Sequence, residues 1–172
     1  MESIAKDSRI LRIAKERPWI LLILMKVLDV GSGSFSATEI AEALSVNSYI
    51  VQRALWWLKK YGFVEEITGT TPRRYKLKSI EDPYLNELRQ NKWICGNTVV
   101  VLLSDNYVVL INRRDNIVAR VIPKDIVEQV RNAIAKGKER ASEIASETMI
   151  SPSQAATAKR VLDTIFCSKA SS

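Results

Sequence analysis

The chain has 172 residues, 47% of them apolar and 26% charged, with a net charge of +7. This composition excludes a disordered chain and suits one ordinary domain or two small ones. The apolar runs Trp19–Met25, Thr98–Leu103 and Tyr107–Ile111 all fall well short of the ~20 residues a membrane-spanning helix needs; basic residues flank the first run and no small-residue cleavage site follows it, against a signal peptide.

Residues 2–17 read as an amphipathic basic helix, in which Ile4, Ile10, Leu11 and Ile13 alternate with Lys6, Arg9, Arg12, Lys15 and Arg17. Pro18 suits the first turn of a second helix. That helix runs from Trp19 towards Gly31 and is apolar nearly all round, which predicts a central position in a core. Ser36-Ala37-Thr38-Glu39 is a capping box that opens a short helix with Ile40, Ala41 and Leu44 on one face. Ser45-Val46-Asn47 forms the turn. A third helix, over 47–61, carries Ile50, Val51, Ala54, Leu55 and Leu58 at helical spacing, and Gly62 is placed to end it in a left-handed cap. Residues 63–67 and 73–78 then alternate as the two strands of a hairpin.

A boundary is expected around Glu81-Asp82-Pro83, dividing the chain into 1–82 and 83–172. The second part opens with a short polar helix over 84–90. Three strands are expected next, over 98–103, 107–112 and 117–122, with turns at Asp105-Asn106 and Arg114-Asp115-Asn116. The first two are apolar on both faces, so both faces should be covered, by helices or by another subunit. Three helices close the chain, over 125–136, 139–149 and from Ser151 onwards, the last opened by a Ser151-x-x-Gln154 capping box.

Two segments echo each other 104 residues apart: Ala37-Thr38-Glu39-Ile40-Ala41 aligns with Ala141-Ser142-Glu143-Ile144-Ala145, Val46 with Ile150, Ala54 with Ala158 and Leu58 with Leu162. A second helix-turn-helix-like unit is one reading of this echo; shared packing of small residues is the other.

The stretch from Pro18 to Lys78, through SATEIAEALSVNSYIVQRALWWLKKYGFVEEI and the basic hairpin TGTTPRRYKLKS, resembles the winged helix-turn-helix family of bacterial and archaeal transcription regulators. The resemblance implies an N-terminal winged helix-turn-helix; together with the pattern of the second half, the expected fold is α+β, with a small three-stranded antiparallel sheet and a C-terminal three-helix unit after it. It also implies a sequence-specific binder of double-stranded DNA that reads the major groove with helix 47–61 and touches backbone or minor groove with the wing over 68–76. Independently, the residues off the apolar ladder of that helix are Asn47, Ser48, Tyr49, Gln52, Arg53, Trp56, Lys59 and Lys60. Asn, Gln and Arg suit bidentate reading of bases, and Ser48 and Tyr49 can donate to phosphates. The wing offers Thr70, Thr71, Arg73, Arg74 and Lys76. Between Asn47 and Lys78 stand seven Lys or Arg against two Glu, a net of +5 that is most of the chain's excess charge and matches a polyanion-facing surface.

Trp56 and Trp57 depart from the family, which usually places polar or basic residues there. Adjacent indoles on a helix point about 100° apart, so at least one leaves the local core, for the N-terminal helix, the second half or a dimer seam. The second unit is electrically poorer, with Lys159 and Arg160 against Asp163 between Ser151 and Phe166. It reads as a packing or partner-binding element.

There is no histidine, no glycine-rich phosphate loop and no acidic metal cluster, so no enzyme, cofactor or metal is expected. Cys95 and Cys167 are not in a CxxC pair and read as two reduced thiols of an intracellular protein, although sequence leaves open that they meet in space. The expected setting is cytoplasmic and nucleoid-associated, with DNA as partner, a homodimer, a possible protein partner for 83–172 and no membrane. The alternative is a winged-helix protein-interaction module of a larger replication, transcription or RNA-processing assembly.

Overall fold

The computed structural model describes residues 8–170. Helix α1 spans Arg9–Glu16. It opens at Arg9, where Ser8 has extended backbone and its hydroxyl accepts the Leu11 N–H at 3.1 Å, the geometry of an N-cap. The rest of that expected helix, residues 2–7, lies outside the described residues. Asp82 fixes α1 in turn, its carboxylate accepting from the Ser8 hydroxyl at 2.8 Å and from the Arg9 N–H at 2.9 Å.

Helix α2 (Ile20–Val30) buries eight of its eleven residues, as its apolar circumference requires. Strand β1 (Ser34–Ser36) follows, then α3 (Ala37–Leu44), α4 (Ser48–Lys60), β2 (Val64–Ile67) and β3 (Arg74–Leu77). The capping box forms as expected, with Ser36 accepting from Glu39 and Glu39 accepting from Ser36. Gly62, at φ +83°, also acts as expected. Its N–H reaches the Lys59 carbonyl, and the Phe63 N–H reaches that of Leu58, which is the paired bonding of a Schellman cap. Arg9 crosses the same helix end, donating to the Tyr61 carbonyl at 3.0 Å.

Three short strands make one antiparallel sheet in the order β1-β3-β2. Strand β1 is not among the expected elements. At three residues it is too short for alternation to register, and it exists because Phe35 faces Tyr75 of β3 and stacks on it with ring centroids 6.2 Å apart.

The second sheet has four strands, not three: β4 (Lys92–Cys95), β5 (Thr98–Leu103), β6 (Asn106–Arg113) and β7 (Asn116–Pro123), in that order and antiparallel throughout. Strand β4 follows α5 (Leu85–Gln90) directly, and its short, mixed sequence Lys-Trp-Ile-Cys hides the alternation. The turns also shift: Leu103 pairs with Asn106 and Arg113 with Asn116, so Ser104-Asp105 and Arg114-Asp115 are the turn residues.

Both faces of this sheet are covered by the chain itself. Val99, Val101, Leu103, Val108, Leu110 and Ile117 join the core built around α2, α4 and β2. The alternate residues Val100, Tyr107, Val109, Ile111 and Ile122 join a second core under α6 (Lys124–Ala135), α7 (Ala141–Thr148) and α8 (Pro152–Ala170). Each buried Val, Leu or Ile contributes ~1.5–3 kcal/mol, so the sheet ties the two halves together without needing a second subunit.

Cys95 and Cys167 are joined as a disulfide, a correction to the two reduced thiols expected. The reason is topological. Helix α8 continues to Ala170, and its last turns lie along β4, where the Ile94 N–H donates to the Ser168 hydroxyl at 3.3 Å. The two Cα atoms are thereby brought to 5.8 Å, within bonding range. Among the described residues no helix is long and apolar enough to cross a membrane, and no group of three or more potential metal ligands occurs.

Candidate nucleic-acid interface

Helix α4 buries Ile50, Val51, Ala54, Leu55 and Leu58. Its opposite side leaves Tyr49, Gln52, Arg53, Trp56, Lys59 and Lys60 exposed. These positions follow a three-four spacing and therefore form one stripe. Between this stripe and the β2–β3 hairpin runs a groove of about 530 Å³, lined by Thr38, Gln52, Trp56, Lys59, Arg73 and Tyr75 among others.

The cations around the groove differ in how firmly they are held. Glu66 lies between Lys59, at 3.4 Å, and Arg73, at 3.5 Å. On the other face of the hairpin, Lys76 meets Glu65 at 3.0 Å. Such exposed pairs are worth only ~0.2–1 kcal/mol, little enough for a polyanion to displace the glutamate. Arg73, with a side chain 77% exposed, is the most open of them. Arg53 forms no ion pair among the described residues; its guanidinium carbon lies 5.5 Å from the Trp19 ring and 5.9 Å from that of Tyr49. The Lys60 ammonium sits 5.1 Å over the Trp56 ring.

Arg74 is committed elsewhere. It donates to Glu39 at 2.7 and 3.3 Å and to the Ser34 hydroxyl and carbonyl at 3.0 Å each. The hydrogen bond from Arg74 holds the Glu39 carboxyl below its ordinary range, with burial opposing and the Ser36 N–H assisting. Arg74, its side chain 31% exposed, therefore joins β3 to β1 and to the start of α3. Thr70, half-buried, is likewise engaged: its hydroxyl donates to the Ile67 carbonyl at 3.2 Å and accepts the Arg74 N–H at 3.1 Å. Asn47 is the N-cap of α4, its side-chain oxygen accepting the Tyr49 N–H at 3.0 Å. Ser48 is half-buried, and Thr71 is exposed on the hairpin.

Of the two indoles, Trp57 turns towards α1. The Arg17 guanidinium lies 3.4 Å over its ring. Trp56 stays 53% exposed, edge-on to Trp57 with centroids 4.8 Å apart.

No local pattern in the sequence signals what flanks the start of α4. The Asn47 N–H donates to the Arg114 carbonyl at 2.8 Å, and the Asn112 amide donates to the Leu44 carbonyl at 2.6 Å. The β6–β7 turn thus abuts the α3–α4 turn. Both arginines at this hairpin end, Arg113 and Arg114, are exposed.

No protein-family model matches the sequence, and neither a curated protein nor a solved structure matches it.

Proposed function

We propose that residues 18–78 form a winged helix-turn-helix and bind double-stranded DNA, with α4 in the major groove and β2–β3 as the wing, as part of a transcriptional regulator. The observation that carries this reading is the exposed stripe of α4 running beside a hairpin with a cation on each side of the groove. Gln52 and Arg53 stand where base edges would lie. Lys59 and Arg73 stand where phosphates would lie, whereas Lys76, on the other face of β3, is paired with Glu65. The reading also draws on the order helix, strand, helix, helix, hairpin, with β3 between β1 and β2.

Fluorescence anisotropy on a pool of duplexes across a range of salt tests the reading. The double variant Arg53→Ala/Arg73→Ala should bind more weakly, discriminate less between sequences through Arg53, and reduce the salt slope by about 0.9 for the phosphate that Arg73 no longer neutralises. An unchanged slope would place the duplex elsewhere or nowhere.

The half-exposed Trp56 favours a second reading, a protein-binding module using the same fold. A stable protein without duplex affinity at low salt would support it. Homodimerisation belongs with either reading and is read by sedimentation.

A further inference from the structure

On the opposite face of the four-stranded sheet from α2, strands β6 and β7 and helix α8 enclose a crevice of about 260 Å³. Three arginines from three elements line it: Arg113, Arg120 and Arg160. Val109 pairs with Arg120 and Ile111 with Val118, so the side chains of Arg113 and Arg120 emerge on one sheet face. Ser153, Ala156, Thr157 and Arg160 follow helical spacing and form the facing wall. Val109, Ile111 and Val118 supply an apolar floor.

No acidic side chain lines the crevice. Among the described residues, none of the three guanidiniums enters an ion pair. The contrast with other arginines is informative: Arg12 pairs with Glu16, Arg73 with Glu66, Arg74 with Glu39 and Arg131 with Glu128. The nearest acids in sequence, Asp115 and Asp163, lie outside the lining. Grouping like charges over an apolar floor raises the local potential and attracts an anion. The crevice also lies at the start of α8, whose first turn carries no acid, so the helix dipole adds in the same sense. The Ser153 hydroxyl is a further donor; that of Thr157 already donates to the Ser153 carbonyl at 3.1 Å.

We infer that this crevice is a phosphate-binding site. Guanidiniums meet phosphate oxygens as bidentate forks. Three forks set around one crevice on three different elements suit an anion with oxygens on several sides better than a flat carboxylate. The phosphate has two sources. One is the backbone of a duplex running past the N-terminus of α4, to which the β6–β7 turn is bound through Asn47 and Arg114; this source rests on the DNA-binding reading. The other is a phosphorylated small molecule, which does not.

The test uses the full chain and the double variant Arg120→Gln/Arg160→Gln, with Arg131→Gln as the control outside the crevice. One arm titrates inorganic pyrophosphate at low ionic strength, read by the arginine Nε–H resonances. The other measures a 30-base-pair duplex against salt. The double variant should bind at least tenfold more weakly in one arm or both, while the control matches the parent. Loss confined to pyrophosphate supports a small-molecule source. A salt slope reduced by about 1.8 supports the DNA backbone. If the double variant equals the parent in both arms, or the parent binds neither probe, the site is refuted. A parent that binds pyrophosphate but no duplex refutes only the DNA reading. Should the double variant not fold, Arg113→Gln carries the same comparison.

Discussion

The backbone N–H of Asn47 donates to the carbonyl oxygen of Arg114 across 2.8 Å, so the N-cap of the candidate reading helix is held by a hairpin from the other half of the chain. Beside it, Asn112 donates its amide to the Leu44 carbonyl at 2.6 Å. The α3–α4 turn is therefore not a free surface loop. Its geometry depends on β6 and β7, which gives the second half a direct route to the helix expected to meet DNA.

Asn112 makes this dependence measurable. Its side-chain oxygen is buried without a partner, so Asn112→Ala loses one good hydrogen bond and removes one unsatisfied atom. The cost should be ~1 kcal/mol or less. Asn112→Asp should cost more, because it sets a carboxylate oxygen against the Leu44 carbonyl. Urea midpoints at constant slope rank the two variants. Equal costs would mean that the amide does not hold the turn.

The Glu39–Arg74 pair predicts an acid-sensitive link between β3 and α3. The folded pKa of Glu39 is lowered, chiefly by the Arg74 hydrogen bond. Its stabilisation is therefore fully present above the ordinary carboxylate range and lost as pH falls through the lowered folded value. Glu39→Gln should flatten the acid limb of the stability curve and leave the shape unchanged near neutrality. Thermal melts from pH 7 to pH 3 on both proteins check this. Parallel curves would rule out the pair as a contributor.

The disulfide predicts a large redox effect on stability. Cys95 and Cys167 are separated by 72 positions, and closing a loop of that size removes unfolded-state entropy worth about 4 kcal/mol. Reduction, or Cys95→Ser/Cys167→Ser, should lower the melting temperature by several degrees. The core under α6–α8 should be affected most, since the crosslink ends in α8. Hydrogen exchange resolves the two regions. Uniform protection loss would show that the sheet transmits the effect to both cores.

Much of this was legible because it rests on periodicity and caps. The apolar ladder of α4, the Ser36 and Ser151 caps and the Gly62 stop each depend on residues within one turn of each other. The features that escaped depend on partners far along the chain. Strand β1 needs Tyr75, β4 needs its neighbour β5, and the disulfide needs α8 to run its full length. The same holds at the site. Arg53, Arg73, Lys59 and Gln52 stand on the expected surface, whereas Arg74 and Thr70 are occupied by Glu39, Ser34 and the hairpin itself. A charge count cannot distinguish a free arginine from one already bound.

The internal echo yields the last prediction. Ser45 ends α3 at φ 56°, ψ 42°, and Met149, the residue 104 positions later, ends α7 at φ 60°, ψ 30°. Both are left-handed, and both precede a short turn into the next helix. The aligned pairs Ile40 and Ile144, Ala41 and Ala145, and Ala54 and Ala158 are buried in their respective cores. The likeness is therefore one of backbone as well as of small residues. A left-handed L-residue costs ~1–2 kcal/mol, and Met149, at 93% exposed, recovers almost nothing by packing. Met149→Gly removes that strain but adds ~0.5–1 kcal/mol of unfolded-state entropy. The variant should gain about 0.5–1 kcal/mol, seen as a raised urea midpoint with unchanged slope. Ser45→Gly should behave alike, since Ser45 is also exposed. A loss at Met149 with a gain at Ser45 would mean that the two turns differ, and that the second unit does not repeat the first.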